Sequence, residues 1–498
     1  MGWWTELKSS GWKYPTTVLS LYGFLANCRV AEPFLTPYLI GPHKNISGDV
    51  VTNYLFPIWT YSYLAFLLPV FLLTDFLRYK PLIVLQGLFL VTNYILLCFA
   101  PGLPAMTLLQ INYAVVTSTE VGYFSYIYSV IPVEKYQRAT GYLRSAMLAG
   151  YTFGASLGQV LVSLAGLDYF YINTITLGIV SMAFLVSLWL PMPQRSMFFK
   201  EQTAAAVGAQ QPEEPVMDEA TKGTRIDVDG KVDVTGHTSK SKASVEEMKG
   251  QDEMGPEPEE FTKTVGPDNC TKVLVHLWRD FRQCYSSRQL LYWSVWWAMA
   301  TCGYNLIINY VQVLWDHVQP SQDFSIYNGG VEAVSYLMSA ATAYGIGFTE
   351  VRWEHWGELA LGSFSGLGAA ALFLMTFIGN IWVCYAGYII FKCLYMLLIT
   401  IAMYQIAADL SLERYALVFG ANNFGALALQ AIITSVVVDS SGLGLAIIPQ
   451  FIIYASYFSV IAVVFLLRGL FTIWTAKKYK TENPPDNTVS PGFEEHRF

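Results

Sequence analysis

Long apolar segments separated by short polar loops run through most of the chain. Twelve of these segments hold about 20 residues or more, the length of helix that crosses a hydrocarbon core of about 30 Å. A long polar stretch separates the first six segments from the last six. We therefore predict an all-α membrane protein with twelve spans, at residues 14–40, 53–77, 81–100, 105–131, 139–165, 168–192, 289–315, 326–349, 356–378, 381–408, 414–438 and 445–471.

The polar stretch divides the chain into two halves. Ala, Gly, Pro, Glu, Asp, Lys and Ser dominate it, with too few large apolar side chains to form a core. Six helices on either side of a central cytoplasmic loop resemble the major facilitator fold, whose two halves surround a transport route. The predicted organisation is a cytoplasmic N-terminus at 1–13, a six-helix half at 14–192, a disordered cytoplasmic linker at 193–285, a second six-helix half at 286–472 and a disordered cytoplasmic tail at 473–498.

Positive charge is concentrated in alternate loops between the spans. One set of loops holds most of the Lys and Arg residues, while the other set holds almost none beyond Lys44. Because cytoplasmic loops are enriched in these residues, we predict that both termini are cytoplasmic. The sequon Asn45-Ile46-Ser47 lies in a loop of the opposite side, which makes Asn45 a predicted glycosylation site. The chain is therefore predicted to be a multi-pass protein of the plasma membrane.

Composition supports a membrane carrier and gives no sign of an enzyme. Of the 498 residues, 54% are hydrophobic and 13% are charged, about half of the charged fraction typical of soluble domains. The net charge of −7 comes from acidic residues crowded into 201–260, so it does not describe a binding surface. No nucleophile elbow, phosphate-binding loop or metal-ligand spacing is present. We expect no cofactor, no metal and no nucleic acid, and as partners the lipid bilayer and a small solute.

Five charged residues inside predicted spans are the strongest candidates for function. A charge at membrane depth costs at least a few kcal/mol, so such residues usually face a protein interior or a wet cavity. Three carboxylates against two cations favour a cation or a weak base as the solute. The alternative is that these groups pair with each other or with tyrosines and only hold helices together. The five are Arg29, Glu32, Glu120, Glu332 and Lys392.

Two further features of the spans bear on a transport route. Phe56, Trp59 and Tyr63 share one face of the second predicted helix, and aromatic faces attract cations. Pro33 follows Glu32 directly and removes a helical hydrogen bond, so a broken turn is expected beside that carboxylate. The glycines between Gly150 and Gly158 are expected to let two helices approach closely.

Six motifs in the predicted spans and adjoining loops, from Glu32-Pro33-Phe34-Leu35 to Glu413-Arg414-Tyr415-Ala416-Leu417-Val418-Phe419-Gly420, together resemble the reduced folate and thiamine carrier family, also called solute carrier family 19. The resemblance covers about 12–472 and leaves the linker and the tail unmatched. The folate carrier has an arginine at the position of Glu120 and a lysine at that of Gln430, whereas thiamine carriers have glutamate at the first. The resemblance therefore implies thiamine rather than the dianionic folate. The motifs are Glu32-Pro33-Phe34-Leu35, Phe56-Pro57-Ile58-Trp59-Thr60-Tyr61-Ser62-Tyr63, Tyr126-Ile127-Tyr128-Ser129-Val130, Trp293-Ser294-Val295-Trp296-Trp297, Ile326-Tyr327-Asn328-Gly329 and Glu413-Arg414-Tyr415-Ala416-Leu417-Val418-Phe419-Gly420.

The resemblance also implies a substrate site. Its members would be Glu32, Phe56, Trp59, Tyr113, Tyr151 and Asn309, with Glu332 nearby. Two positions depart from the thiamine carriers, which have glutamate at Gln110 and commonly tryptophan at Tyr94. For relatives that also carry pyridoxine, the family implicates a region represented in this chain by Gln86, Gly87, Asn93, Tyr94 and Asn173.

The expected function is import of thiamine by alternating access of the two halves around a midplane site. The family also implies that protonation of a carboxylate could couple transport to pH. The first alternative is a carrier of pyridoxine or another organic cation, with folate disfavoured. The second is a binding or receptor protein that has the same fold and transports nothing.

Overall fold

The structure is a computed structural model that describes residues 11–76, 79–132, 135–192, 279, 281–346, 353–408 and 412–482. Residues 1–10, 193–278, 280 and 483–498 lie outside the described residues, and they include most of the predicted linker at 193–285 and of the predicted tail at 473–498. Each of the twelve predicted spans contains a helical segment. Seven helices in the described ranges are long and apolar enough to cross a membrane by length and composition alone.

The first half begins with a helix that stops inside the predicted first span. Helix α1 ends at Asn27, a 3-10 turn occupies Glu32–Phe34, and a short helix α2 follows. Helix α3 is preceded by a π-helical turn at Val51–Leu55. The helices of this half are α1 (Lys13–Asn27), α2 (Leu35–Ile40), α3 (Phe56–Phe76), α4 (Lys80–Phe99), α5 (Gly102–Thr119), α6 (Val121–Val130), α7 (Tyr136–Ser163) and α8 (Tyr169–Leu188).

The second half repeats this plan with longer helices. A π-helical turn at Thr434–Val438 follows helix α13, and the last helix continues to Glu482, beyond the predicted end of its span. The helices of this half are α9 (Arg288–Val318), α10 (Asn328–Ile346), α11 (Trp353–Phe377), α12 (Ile381–Ala408), α13 (Leu412–Ile433) and α14 (Ile447–Glu482).

Three helix pairs join the halves: α7 packs against α10, α3 packs against α13, and α2 packs against α9. A set of hydrogen bonds between the halves lies toward one end of the bundle. This is the end that carries the loop with Asn45, and we call it the Asn45 end. Here Gln159 bonds to the backbone of Ile326 and Gly330, and Tyr61 bonds to Asp439.

Two predicted spans are interrupted: the span at 14–40, where a break beside Glu32 was expected, and the span at 105–131, where none was expected. The first breaks at Cys28, five residues before the proline that was expected to break it. The second has a turn at Glu120, between α5 and α6. Both interruptions place a charged side chain beside non-helical backbone.

Candidate functional site

A cavity of about 310 Å³ lies between the two halves. Its volume is near the lower end of the range typical of small-molecule sites. All six members of the implied substrate site line this cavity, and so do the two positions that depart from the thiamine carriers; the eight residues are Glu32, Phe56, Trp59, Tyr113, Tyr151 and Asn309, with Tyr94 and Gln110. Arg29 and Glu332 from the buried charges, and Asn93 and Asn173 from the pyridoxine region, line it as well.

The broken segment after α1 supplies the cation-binding candidate Glu32. Helix α7 can approach this segment closely because it has glycines at 150, 154 and 158, as the sequence predicted. A Cβ at Gly154 would lie 2.9 Å from the amide nitrogen of Arg29, and one at Gly158 would lie 2.5 Å from the carbonyl oxygen of Val30. The backbone amide of Ala31 donates to Thr176 Oγ1 at 3.0 Å. Irregular backbone at membrane depth is therefore buried in protein and supplied with partners.

Arg29 acts as the neighbour of Glu32 at the cavity wall. Its guanidinium donates to the carbonyl of Ala26 at 2.9 Å and to the hydroxyl of Tyr113 at 2.6 Å. Its Nη1 lies 3.6 Å from Glu32 Oε1, so the two charges are paired. The Arg29 side chain is 8% exposed, whereas that of Glu32 is 42% exposed. The carboxylate therefore keeps a free side toward the cavity, while the arginine is held by protein.

Aromatic rings form two walls of the cavity. Trp59 stacks with Tyr63 at 5.6 Å between ring centroids and lies 6.4 Å from Tyr113. Tyr151 of α7 stacks on Tyr336 of α10 at 5.0 Å, which brings one ring from each half together. Flat faces of this kind attract cations and stack on heterocycles.

Three buried polar atoms on cavity residues have no hydrogen-bond partner among the residues that the structure describes. They are Trp59 Nε1, Asn309 Nδ2 and Asn173 Oδ1. A buried polar group without a partner costs about 1–3 kcal/mol, so these two donors and one acceptor are suited to groups of a bound solute. The cavity thus offers a carboxylate, aromatic faces and directed neutral hydrogen-bonding groups.

Glu332 and Lys392 form a buried ion pair behind the ring of Tyr336. Lys392 Nζ lies 2.6 Å from Glu332 Oε2, and the Tyr388 hydroxyl donates to Glu332 Oε1 at 2.6 Å. The same ammonium lies 3.5 Å from the centroid of Tyr336. Glu332 is therefore both a cavity residue and half of a structural pair, whereas Lys392 is 1% exposed and does not line the cavity.

Glu120 and part of the pyridoxine region lie outside the main cavity. Glu120 and Gln86 line a separate space of about 10 Å³, behind Arg29. A volume of that size holds about one water molecule. Gly87 packs against Phe184, where a Cβ would lie 3.2 Å from the Phe184 Cα, so it serves helix packing. Of the pyridoxine region, Asn93, Tyr94 and Asn173 therefore line the cavity, whereas Gln86 and Gly87 do not.

Sequence reasoning missed several neutral residues of the second half that reach the first. Gln312 and Asn328 bond to the backbone of the broken segment, and Tyr336 stacks across the cavity. An uncharged amide in an apolar span is a weak signal, because many such side chains bond to their own helix. Asn45 is exposed in its loop, as its predicted glycosylation requires.

Comparisons with known proteins place the chain in a family. The family model described as "Reduced folate carrier" matches residues 10–453. Human thiamine transporter 2 is 48% identical over 97% of this chain and 95% of its own length, and human thiamine transporter 1 is 50% identical over 96% and 93%. The human reduced folate transporter is 35% identical over 93% of this chain and 73% of its own length.

Solved structures show the same fold at low sequence identity. A structure of the nucleoside transporter NupG aligns with 91% of this chain at a TM-score of 0.56 and 12% identity. A proton dependent oligopeptide transporter aligns with 94% at a TM-score of 0.52 and 10% identity. These neighbours confirm the all-helical major facilitator fold. With a match that spans most of both halves, the chain belongs to the reduced folate carrier family and is a membrane transporter.

Proposed function

We propose that this protein imports thiamine across the plasma membrane by alternating access. The half-exposed carboxylate of Glu32 at the wall of an aromatic cavity is the observation that carries the proposal. The thiazolium of thiamine is a permanent cation, and charge-assisted contacts are about twice as strong as neutral ones. The thiazolium would lie near Glu32, among the rings of Trp59, Tyr113 and Tyr151.

Hydrogen-bonding groups of the cavity suit the other ring of thiamine. Its aminopyrimidine has two ring nitrogens that accept and an amino group that donates. Trp59 Nε1 and Asn309 Nδ2 are donors without partners, and Gln110 Oε1 and Asn173 Oδ1 are acceptors at the wall. The relatives named as thiamine transporters share more sequence with this chain than the reduced folate transporter does.

The charge balance around the cavity disfavours a dianion such as folate. Arg29 and Lys392 are each paired with a carboxylate, so neither cation is free for an anionic substrate. Glu120 adds a further acidic group behind Arg29. Two carboxylates of a folate would face this acidic surplus at membrane depth, where unbalanced charge is costly.

Pyridoxine remains the second candidate, because Asn93 and Asn173 of its implied region line the cavity. In the proposed orientation, both termini and the linker face the cytoplasm and Asn45 faces outward. This orientation is the same for either substrate. Protonation of a carboxylate would couple transport to pH, as the family resemblance implies.

Uptake of labelled thiamine in cells that lack their own carriers tests the proposal, with unlabelled pyridoxine and folate as competitors. We expect saturable thiamine uptake that excess thiamine blocks and folate does not. Stronger competition by pyridoxine than by thiamine would make pyridoxine the substrate. Surface expression with no uptake of either solute would contradict transport and favour a binding protein.

A further inference from the structure

The side-chain amide of Gln312 bridges two backbone groups of the broken segment. Gln312 lies on α9 in the second half, and the segment belongs to the first. Its Nε2 donates to the carbonyl oxygen of Glu32 at 3.0 Å, and its Oε1 accepts from the amide of Thr36 at 3.2 Å. In a continuous α-helix, these two groups, four residues apart, would bond directly to each other. Insertion of a side chain into this ladder is a recognised cause of a helix kink.

The bridge is placed so that it shapes the surroundings of the Glu32 carboxylate. Glu32 begins the 3-10 turn Glu32–Phe34, and the amide of Leu35 also donates to its carbonyl. Asn328 of the second half adds a bond from Nδ2 to the carbonyl of Pro33 at 3.3 Å. The local backbone that carries the candidate cation-binding group is thus held by amides of the opposite half.

These bonds exist only while the halves meet at the Asn45 end. Alternating access requires the halves to part there, and parting separates Gln312 from Glu32 and Thr36. The Thr36 amide can then donate directly to the carbonyl of Glu32, which also accepts from Leu35, and complete a regular α-helical turn. A regular turn would aim the Glu32 side chain differently, because helical side chains follow the backbone that carries them.

We propose that Gln312 is a positioning residue that links closure of the Asn45 end to the geometry of Glu32. The inference rests on the proposed role of Glu32 in cation binding. Gln312 has two effects: it stabilises the state closed at the Asn45 end, and it holds Glu32 in the orientation seen here. The first effect does not require any substrate.

The substrate-free effect is tested by spin-label distances across the Asn45 end of the purified full-length protein. Labels at Pro42→Cys and Gln322→Cys stand on exposed loop residues, one in each half. The six cysteines of the described residues are buried, and Cys270→Ser removes the remaining one. Gln312→Met removes both hydrogen bonds while nearly conserving volume, and Gln312→Ala is a second variant with the same loss.

In the absence of ligand, we expect Gln312→Met to raise the ratio of long to short distances roughly tenfold, because two hydrogen bonds that exist only in the closed state are lost. Asn305→Ala is the matched control, because Asn305 lies on the same helix and cavity wall but bonds to Gln430 within its own half. It should leave the distances unchanged. Equal distance distributions in the parent and in both Gln312 variants would overturn the proposal.

Binding separates this proposal from the proposed function. Thiamine should bind Gln312→Met several-fold more weakly than the parent, since the closed geometry of Glu32 is less populated. Unchanged thiamine affinity together with shifted distances would remove the link to Glu32 and overturn the positioning role. A parent protein that binds no thiamine would contradict the proposed function, while the distance shift would still report on the bridge.

Discussion

At the scale of single residues, the charged side chains at the site form ion pairs with one another. Arg29 and Lys392 are buried and paired, whereas Glu32 keeps a face toward the cavity. The sequence-based alternative, in which buried charges only hold helices together, describes Lys392 well, since that side chain contacts Glu332 and two tyrosine rings. Glu32 is thus the charged residue whose geometry leaves most room for a solute.

Replacing Glu32 by glutamine should lower surface-normalised thiamine uptake at least tenfold. The carboxylate loses its charge while its shape is retained, and hydrogen bonds to charged groups contribute about 1.5–3 kcal/mol. Uptake of labelled thiamine, corrected for protein at the cell surface, measures the effect. Glu358→Gln is the control, because Glu358 pairs with Arg468 and Thr472 outside the cavity. Wild-type uptake by the Glu32→Gln variant would return Glu32 to a structural role.

Replacing Gln110 by glutamate should improve thiamine transport. Gln110 lines the cavity one helical turn from Tyr113, at the position where thiamine carriers have glutamate. A second carboxylate would strengthen the attraction for a permanent cation, so we expect the KM for thiamine to fall about three- to tenfold. The KM for pyridoxine, which carries no net charge near neutral pH, should change much less. A parallel drop in both KM values would argue against a charge effect.

At the scale of elements, the broken helix depends on the glycine-bearing face of α7. Three glycines at helical spacing let the backbone of residues 24–34 approach, and each occupies a point where a Cβ would meet main-chain atoms. Backbone cannot move aside as a flexible side chain can. The interruption of α1 is therefore maintained by its neighbour as well as by Pro33.

A methyl group at Gly158 should destabilise this contact. Overpacking of a tight interface costs about 1–3 kcal/mol, so we expect Gly158→Ala to lower the Tm of the purified protein and to weaken thiamine binding. Gly178→Ala on α8 is the matched control, because nothing lies within 4 Å of a Cβ there. That variant should be neutral or stabilising by up to about 1 kcal/mol, the difference in helix propensity. Equal Tm values for the two variants would contradict the close packing.

At the scale of the whole molecule, the halves are held together at the Asn45 end by three groups of hydrogen bonds. One group involves Gln312 and Asn328, and a second involves Gln159. The third lies beside the two π-helical turns, where Asn53 bonds to Gly444 and Tyr61 bonds to Asp439. π-helical turns often mark functional sites in helices, and here they lie on α3 and α13, the helices that pack across the interface. The described structure is therefore the state closed at that end.

Loss of the Tyr61 hydroxyl should favour opening at the Asn45 end. The hydroxyl donates to Asp439 Oδ2 at 2.8 Å, so Tyr61→Phe removes one bond between the halves and keeps the ring. The substitution Ala155→Cys places a reporter thiol in the cavity. We expect this thiol to react several-fold faster in the Tyr61→Phe variant than in the parent when a thiol reagent is applied from the Asn45 end. Tyr457→Phe, whose hydroxyl bonds within the second half, is the control. No change in the rate for Tyr61→Phe would show that this bond does not hold the closed state.

The Tyr61–Asp439 contact should not respond to pH in the physiological range. Burial opposes ionisation of Asp439, but hydrogen bonds from the backbone of Ser441 and from Tyr61 outweigh it and lower the pKa of the carboxyl below 3.8. A lowered pKa means that the contribution of the ionised group is present above the ordinary value and is lost only as pH falls through the lowered one. The test measures the labelling rate of the Ala155→Cys reporter in the Tyr61→Phe variant and in the parent, with both rates corrected for thiolate content. The ratio of the two rates should be the same at mildly acidic and neutral pH.

The membrane class, the division into two halves and half of the residues that line the cavity could be predicted from the sequence and its family resemblance. Hydrophobic length is a local property, so twelve spans could be counted without knowledge of their packing. Charged groups inside spans are rare enough to stand out, and the family resemblance supplied Trp59, Tyr113 and Asn309. Tertiary structure alone decided which groups are paired, that α1 stops at Asn27, and that Gln312 reaches the broken segment from the other half. The reason is physical: a neutral amide looks the same in sequence whether it bonds to its own helix or to a distant backbone, and only the packing of the two halves selects its partner.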